Sequence, residues 1–141
     1  MQTFLPYANF QMSAKVLDRQ RLGKQRVECL QLLNAITGNS TGWVNHPCTK
    51  MWRDNPEALV QYSTVTCVEW RSRGYKDTCL EKIIELANVN NWTPNLEFSY
   101  PEWLGDERVH ASHRSNLLRK LPEHYDQFGW TEPSNLEYVW S

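Results

Sequence analysis

Between Ser13 and Thr37 the apolar residues Val16, Leu22, Val27, Cys29, Leu30, Leu33 and Ile36 recur at seven- and eleven-residue intervals, the spacing of one buried helix face. No segment alternates apolar and polar residues over a strand's length, so the chain is expected to be all-α. Ser13 is placed to cap this long helix and Gly38 to close it in the left-handed conformation. Gly23 falls among the apolar positions. A glycine inside a helix costs about 1 kcal/mol relative to alanine, so close approach of another backbone is the expected reason for it.

The remaining pattern is also helical. A loop, GNSTGWVNHP, leads to a short helix from Pro47 to Trp52, and a third runs from Pro56 to Arg73, with Leu59, Tyr62 and Val65 or Thr66 inward. Gly74 ends it. Asp77 caps a fourth helix to Ala87 that buries Leu80, Ile83 and Ile84, and a fifth spans Ser112 to Lys120. Residues 89–107 read as loop, and residues 121–141 as an aromatic, acidic tail. With no repeat or linker, residues 1–141 are expected to form a single compact domain of four to five helices with long loops and an aromatic C-terminal tail. No apolar run reaches 18 residues, and the N-terminus lacks a basic region followed by an apolar stretch, so no membrane role or export is expected and the chain is placed in the cytoplasm. Cys29, Cys48, Cys67 and Cys79 include no C-x-x-C pair and read as reduced thiols, Cys29 and Cys67 in the core.

The net charge of −1 does not announce a nucleic-acid binder, but its distribution is uneven. Residues 13–26 carry five cations against Asp18 alone; residues 108–120 carry four cations, two histidines and no carboxylate; residues from 121 onward carry four carboxylates and no cation. The basic segments are either solvated helix faces or one phosphate-tracking surface. Seven tryptophans serve either as base-stacking rings beside those cations or as amphipathic core residues. Asp18, Arg21, Gln25 and Glu28 share one helix strip, which is either a salt-bridge ladder or the setting of a positioned acid/base. His46 in N-H-P and His110 and His113 in HASH are open to core hydrogen bonding, to phosphate or sugar contact in a cleft, or, with Cys48, to zinc. No phosphate-cradling glycine loop, G-x-S-x-G or D-x-D is present, which argues against nucleotide triphosphate chemistry and serine hydrolysis.

Four blocks occur in order: a chain start leading into the long helix; Arg26-Val27-Glu28, followed fourteen residues later by Gly42-Trp43-Val44-Asn45-His46-Pro47; Glu69 to Arg73, Gly74 and Tyr75; and Gly105-Asp106 leading to Lys120. In this order they resemble the pyrimidine-dimer DNA glycosylase/AP lyase family, the endonuclease V type of phages and bacterial relatives. The resemblance covers most of residues 1–125. It implies a metal-free, cofactor-free enzyme of the bacterial or phage-infected host cytosol, acting as a monomer on double-stranded DNA that carries a damaged or modified pyrimidine. It implies the N-terminal amine as nucleophile and a first-helix glutamate, here Glu28. Gln2 is bulky, so Met1 is expected to be retained and to carry the amine. An α-amine titrates near about 8, far below a lysine, and is accordingly the better nucleophile at neutral pH. DNA contacts are then expected from Gln2, Arg19, Arg21, Lys24, Gln25 and Arg26, from Trp43, Asn45, His46 and Lys50, and from His110, His113, Arg114, Arg119 and Lys120. A non-catalytic nucleic-acid-binding module, and a small zinc-dependent protein using His46, His110 and His113, are the alternatives.

Overall fold

The computed structural model describes residues 1–92 and 99–140. Seven α-helices and a 3₁₀ turn occur among them, with no strand: α1 (Phe10–Val16), α2 (Arg19–Thr37), α3 (Pro47–Trp52), α4 (Pro56–Ser72), α5 (Cys79–Val89), α6 (Glu107–Lys120), α7 (Pro122–Tyr125) and the turn Asp126–Phe128. The all-α expectation holds and the count of four to five does not. One extra helix comes from a break in the expected Ser13–Thr37 helix, and one from the tail. Part of the loop expected over 89–107 lies at 93–98, outside the described residues.

The break has a local cause. Leu17 and Asp18 are extended, with ψ of 137° and 161°, and the Asp18 carboxylate accepts the Arg21 N–H at 3.4 Å as the cap of α2. Aspartate favours this position because its short side chain reaches an otherwise unpaired donor of the first turn. Tyr125 fixes the corner, donating its hydroxyl to Asp18 Oδ1 and accepting the Asp18 N–H at 3.1 Å. Ser13 therefore caps nothing. It is buried inside α1, bonded to the N–H and C=O of Tyr7, while Asn9 caps that helix. At the other end Gly38, with φ of 85°, closes α2 as expected. α6 begins at Glu107, earlier than expected, behind the cap Asp106.

α2 packs on α4 and α5 around Leu32, Leu33, Cys29, Leu59, Tyr62 and Ile83. Each large apolar side chain among them contributes about 1.5–3 kcal/mol by leaving water. A second cluster joins Ala14, Leu17 and Leu22 to Leu117 and Tyr125. Two residues expected inside are outside: Val27 is 44% exposed and Ile84 47%. All four cysteines are buried and unpaired, and burial pushes the Cys48 thiol up to about 11 and Cys67 to about 12. No helix among the described residues is long and apolar enough to cross a membrane.

Gly23 faces a side chain, not the backbone expected. A Cβ there would stand 3.0 Å from Cη2 of Trp70. That indole is fixed from three sides, by its N–H donating to the Lys76 carbonyl at 2.9 Å, by Tyr75 stacked at 4.3 Å and by the Arg26 guanidinium 4.5 Å over the ring. Overpacking of about 1–3 kcal/mol outweighs the gain of about 1 kcal/mol in helix propensity. Gly23→Ala is expected to lower the urea midpoint; an unchanged or raised midpoint would show that the indole moves aside.

Candidate active site

Residues 2–7 form no helix and pair with no strand, yet they are mostly buried. Side chains satisfy their backbone instead. On α2, Gln25 donates to the Gln2 carbonyl at 2.8 Å and accepts the Phe4 N–H at 2.8 Å, while Glu28 accepts the Gln2 N–H at 3.1 Å. On α6, His113 Nδ1 accepts the Leu5 N–H at 2.9 Å, His110 Nδ1 bonds the Leu5 carbonyl at 2.7 Å, and Arg114 donates to the Pro6 carbonyl at 2.7 Å. Tyr62 of α4 donates to the Phe4 carbonyl at 2.6 Å. Both helices use the same device: side chains three apart lie on one face and address the backbone of the same irregular segment.

This arrangement brings Met1 beside Glu28. The Met1 nitrogen is one residue from a nitrogen already bonded to the carboxylate, so backbone dimensions hold it within about 7 Å of Glu28. Met1, Gln2, Phe4, Gln20, Arg21, Lys24, Gln25, Glu28, Lys120 and Tyr138 line a cleft of about 270 Å³. Burial, then the charges of Arg21, Arg119 and Lys24, lower the Lys120 ammonium from its ordinary range. Cations from α2 and from the end of α6 thus converge on one site although the whole chain is mildly acidic.

Of the residues expected to contact DNA, Gln2, Arg21, Lys24, Gln25 and Lys120 line the cleft, and Arg119 is exposed beside Lys120. Arg19, Asn45 and Lys50 are exposed but do not line it. Trp43 sits in an adjoining groove with Met1 and Glu28. His46 has its Nδ1 accepting the Cys48 N–H at 3.0 Å and its ring edgewise to Trp43 and Trp140; burial followed by the N-terminal charge lowers its pKa.

Besides Gln2 and Gln25, which are 4% and 1% exposed with side chains bonded to the protein's own backbone, four of the expected DNA contacts are engaged inside the protein instead. His110, His113 and Arg114 are interior, at most 8% exposed. His110 Nε2 accepts the Gly105 N–H, and Arg114 is bound by Glu107 and by Glu132 at 2.9 Å, so these side chains hold the protein's own backbone and are not turned to a phosphate. Arg26 is bonded to Asp77 and laid on Trp70. Among the described residues no three His, Cys, Asp or Glu side chains are grouped to hold a metal, so the three histidines considered for zinc are not assembled. Sequence reasoning missed Phe4, Gln20 and Tyr138. Gln20 was findable, lying one turn before Lys24 on the same face. Tyr138 was not, because its place is set by tail docking: Ser115, Asn116 and Ser112 bond Leu136 and Val139, the latter at 3.1 Å.

One family model, described as pyrimidine dimer DNA glycosylase, matches residues 1–82, more than half of the chain. No curated protein and no solved structure matches it.

His113 makes the strap of residues 2–7 pH-sensitive. Burial, with His110 and Arg114 nearby, depresses its pKa from 6.5 to about 3. Between those values the unfolded chain binds a proton that the folded chain refuses, so stability is complete above about 6.5 and falls as pH drops toward about 3. His113→Asn keeps an acceptor for Leu5 and removes the titration. It is expected to be less stable at neutral pH but to show a flatter dependence of the urea midpoint between pH 4 and 7; an unchanged slope would clear His113.

Proposed function

The chain belongs to the pyrimidine dimer DNA glycosylase family, and we propose that it excises damaged or modified pyrimidines from double-stranded DNA and then cuts the strand, with the Met1 amine as nucleophile and Glu28 as carboxylate. The observation that carries this reading is the hydrogen bond from Gln2 N to Glu28 at 3.1 Å, which keeps the start of the chain next to an acid on the wall of a cationic cleft. The amine attacks C1′ of deoxyribose, the C1′–N bond breaks, and the base leaves with the bonding electrons. The attacking nitrogen loses a proton, the sugar ring opens and a protonated imine forms at C1′. Removal of a C2′ proton then expels the 3′ phosphate by breaking the C3′–O bond. Glu28 stabilises the cationic sugar in the first stage and accepts the C2′ proton in the second. The chemistry uses the amine and the carboxylate alone, with no metal or cofactor.

Arg21, Lys24 and Lys120 suit the phosphates beside the attacked sugar. A damaged pair opens at lower energy than a sound one, which favours its sugar at the cleft. Lys120 and Tyr138, far from the first residues in sequence, complete the cleft, so we read residues 1–141 as one glycosylase domain acting as a monomer.

Borohydride is expected to trap a covalent adduct with abasic duplex DNA. Glu28→Gln, which keeps an acceptor for Gln2 N, is expected to lower strand cleavage by about 10²–10⁴-fold. Acetylating the N-terminus should abolish the adduct. Cleavage that survives both changes together excludes this mechanism, and salt-dependent binding without an adduct would identify a non-catalytic module. Separately, Lys24→Ala and Lys120→Ala should each reduce the slope of log K against log salt by about 0.9 for every phosphate the missing ammonium had neutralised; an unchanged slope would place the DNA elsewhere.

A further inference from the structure

Arg21 is anchored at one end and open at the other. Its Nη1 donates to both oxygens of Asp18, at 3.2 and 3.3 Å. Its Nε and Nη2 have no partner among the described residues, and the side chain lines the cleft. The Nε–H and one Nη2–H are parallel donors on a single edge of the guanidinium plane, the pair that matches two oxygens of a phosphate.

Asp18 does more than cap α2. Its side chain is only 9% exposed, yet it stays charged. Burial pushes its carboxyl up, but the Tyr125 hydroxyl and the Arg21 charge outweigh burial and hold it below the ordinary range. Tyr125 is fully buried and stacked on Trp130 at 5.6 Å. It meets Asp18 twice, donating to Oδ1 and accepting the N–H at 3.1 Å. Its neighbour His124 bonds the Val16 carbonyl at 2.8 Å. One turn of α7 thus grips the break between α1 and α2. Only Leu121 separates α7 from Lys120, so the corner that brings Lys120 to the cleft also brings Tyr125 to Asp18.

We propose that Tyr125 and Asp18 are positioning residues for Arg21, holding its guanidinium so that the Nε–Nη2 edge is offered to a DNA phosphate at the cleft. The inference rests on the cleft receiving DNA, as proposed above, and not on the amine chemistry. Capping alone does not call for this arrangement, since asparagine caps a helix as well as aspartate and neither needs a tyrosine. A carboxylate at a phosphate site also repels the phosphate. What offsets that repulsion is order. A loose arginine side chain gives up rotamer freedom when it binds, and the tether to Asp18 has already removed much of it. Tyr125, by bonding Oδ1, keeps the carboxylate that forms the tether in one orientation.

The sign of one substitution decides the matter. Asp18→Asn keeps a capping acceptor and removes a negative charge beside the cleft. If Asp18 only caps, DNA binds equally or more tightly. If Asp18 holds Arg21, binding weakens although the site has become more positive. The probe is a duplex carrying a tetrahydrofuran abasic analogue, which cannot form an imine, and its dissociation constant is measured over a range of salt. Asp18→Asn and Tyr125→Phe are each expected to weaken binding by about tenfold and to lower the slope of log K against log salt toward that of Arg21→Ala. In the Arg21→Ala background neither is expected to weaken binding further. Equal or tighter binding by Asp18→Asn overturns the inference, and so does a weakening of the same size without Arg21. A folded Tyr125→Phe that binds like the wild type removes Tyr125 from the assignment; should that variant fail to fold, Asp18→Asn carries the test. A wild-type protein that does not bind the duplex is a different result, which removes the proposed function and this inference with it. Loss of borohydride trapping alone removes the amine mechanism, and the Asp18 comparison still decides how Arg21 is held.

Discussion

The irregular segment at residues 2–7 holds this structure together, because it is mostly buried without belonging to any sheet or helix. A buried backbone group left unpaired costs about 1–3 kcal/mol, more than a made hydrogen bond contributes on balance. The side chains that pair with it are therefore constrained in identity and position. Gln25 supplies both an acceptor and a donor to one stretch of backbone, and His110 and His113 bond the two sides of Leu5 through opposite tautomers. α6 serves a second segment at the same time. Ser112, Ser115 and Asn116, on its other faces, bond the backbone at Leu136 and Val139. A polar helix thus occupies the interior because both ends of the chain are tied to it.

The same device resolves the charge pattern. The acidic tail does not simply offset the basic helices from a distance. Glu132 meets Arg114 at 2.9 Å, and that hydrogen bond holds its carboxyl below the ordinary range. Arg26 is likewise held by Asp77. What stands at the cleft is a smaller set, Lys24 and Lys120 with Arg21, whose guanidinium also meets Asp18 at 3.2 Å. A net charge of −1 is compatible with a locally cationic cleft because carboxylates such as Glu132 and Asp77 are paired at other places.

Helical periodicity made α3, α4, α5 and most of α2 legible, since their apolar spacing is set by contacts within a few turns. The strip Asp18, Arg21, Gln25 and Glu28 was legible for the same reason, and two of its members prove to hold the first residues of the chain. The break at Asp18 was present in the sequence as a good capping residue but was hidden by the apolar period running across it. The role of HASHR was not legible. Its partners Leu5 and Pro6 lie more than a hundred residues away, and a histidine or arginine that saturates a distant carbonyl has the same local signature as one that faces a phosphate. Val27 shows the converse, an apolar residue in register with the core that the rotation of α2 turns outward.

These constraints bear on why an N-terminal amine would be workable as the nucleophile of the proposed mechanism. A free terminus ordinarily frays, and ordering it for each reaction would oppose the chemistry with about 1–2 kcal/mol for every residue fixed. Here that ordering is already made by folding, from Gln2 onward, through α2, α4 and α6. Met1 lies beyond the last of these hydrogen bonds, its side chain packed against the core, and it borders both the cationic cleft and the Trp43 groove. In the proposed mechanism the amine that attacks the sugar thus starts next to its carboxylate partner, which is carried on α2.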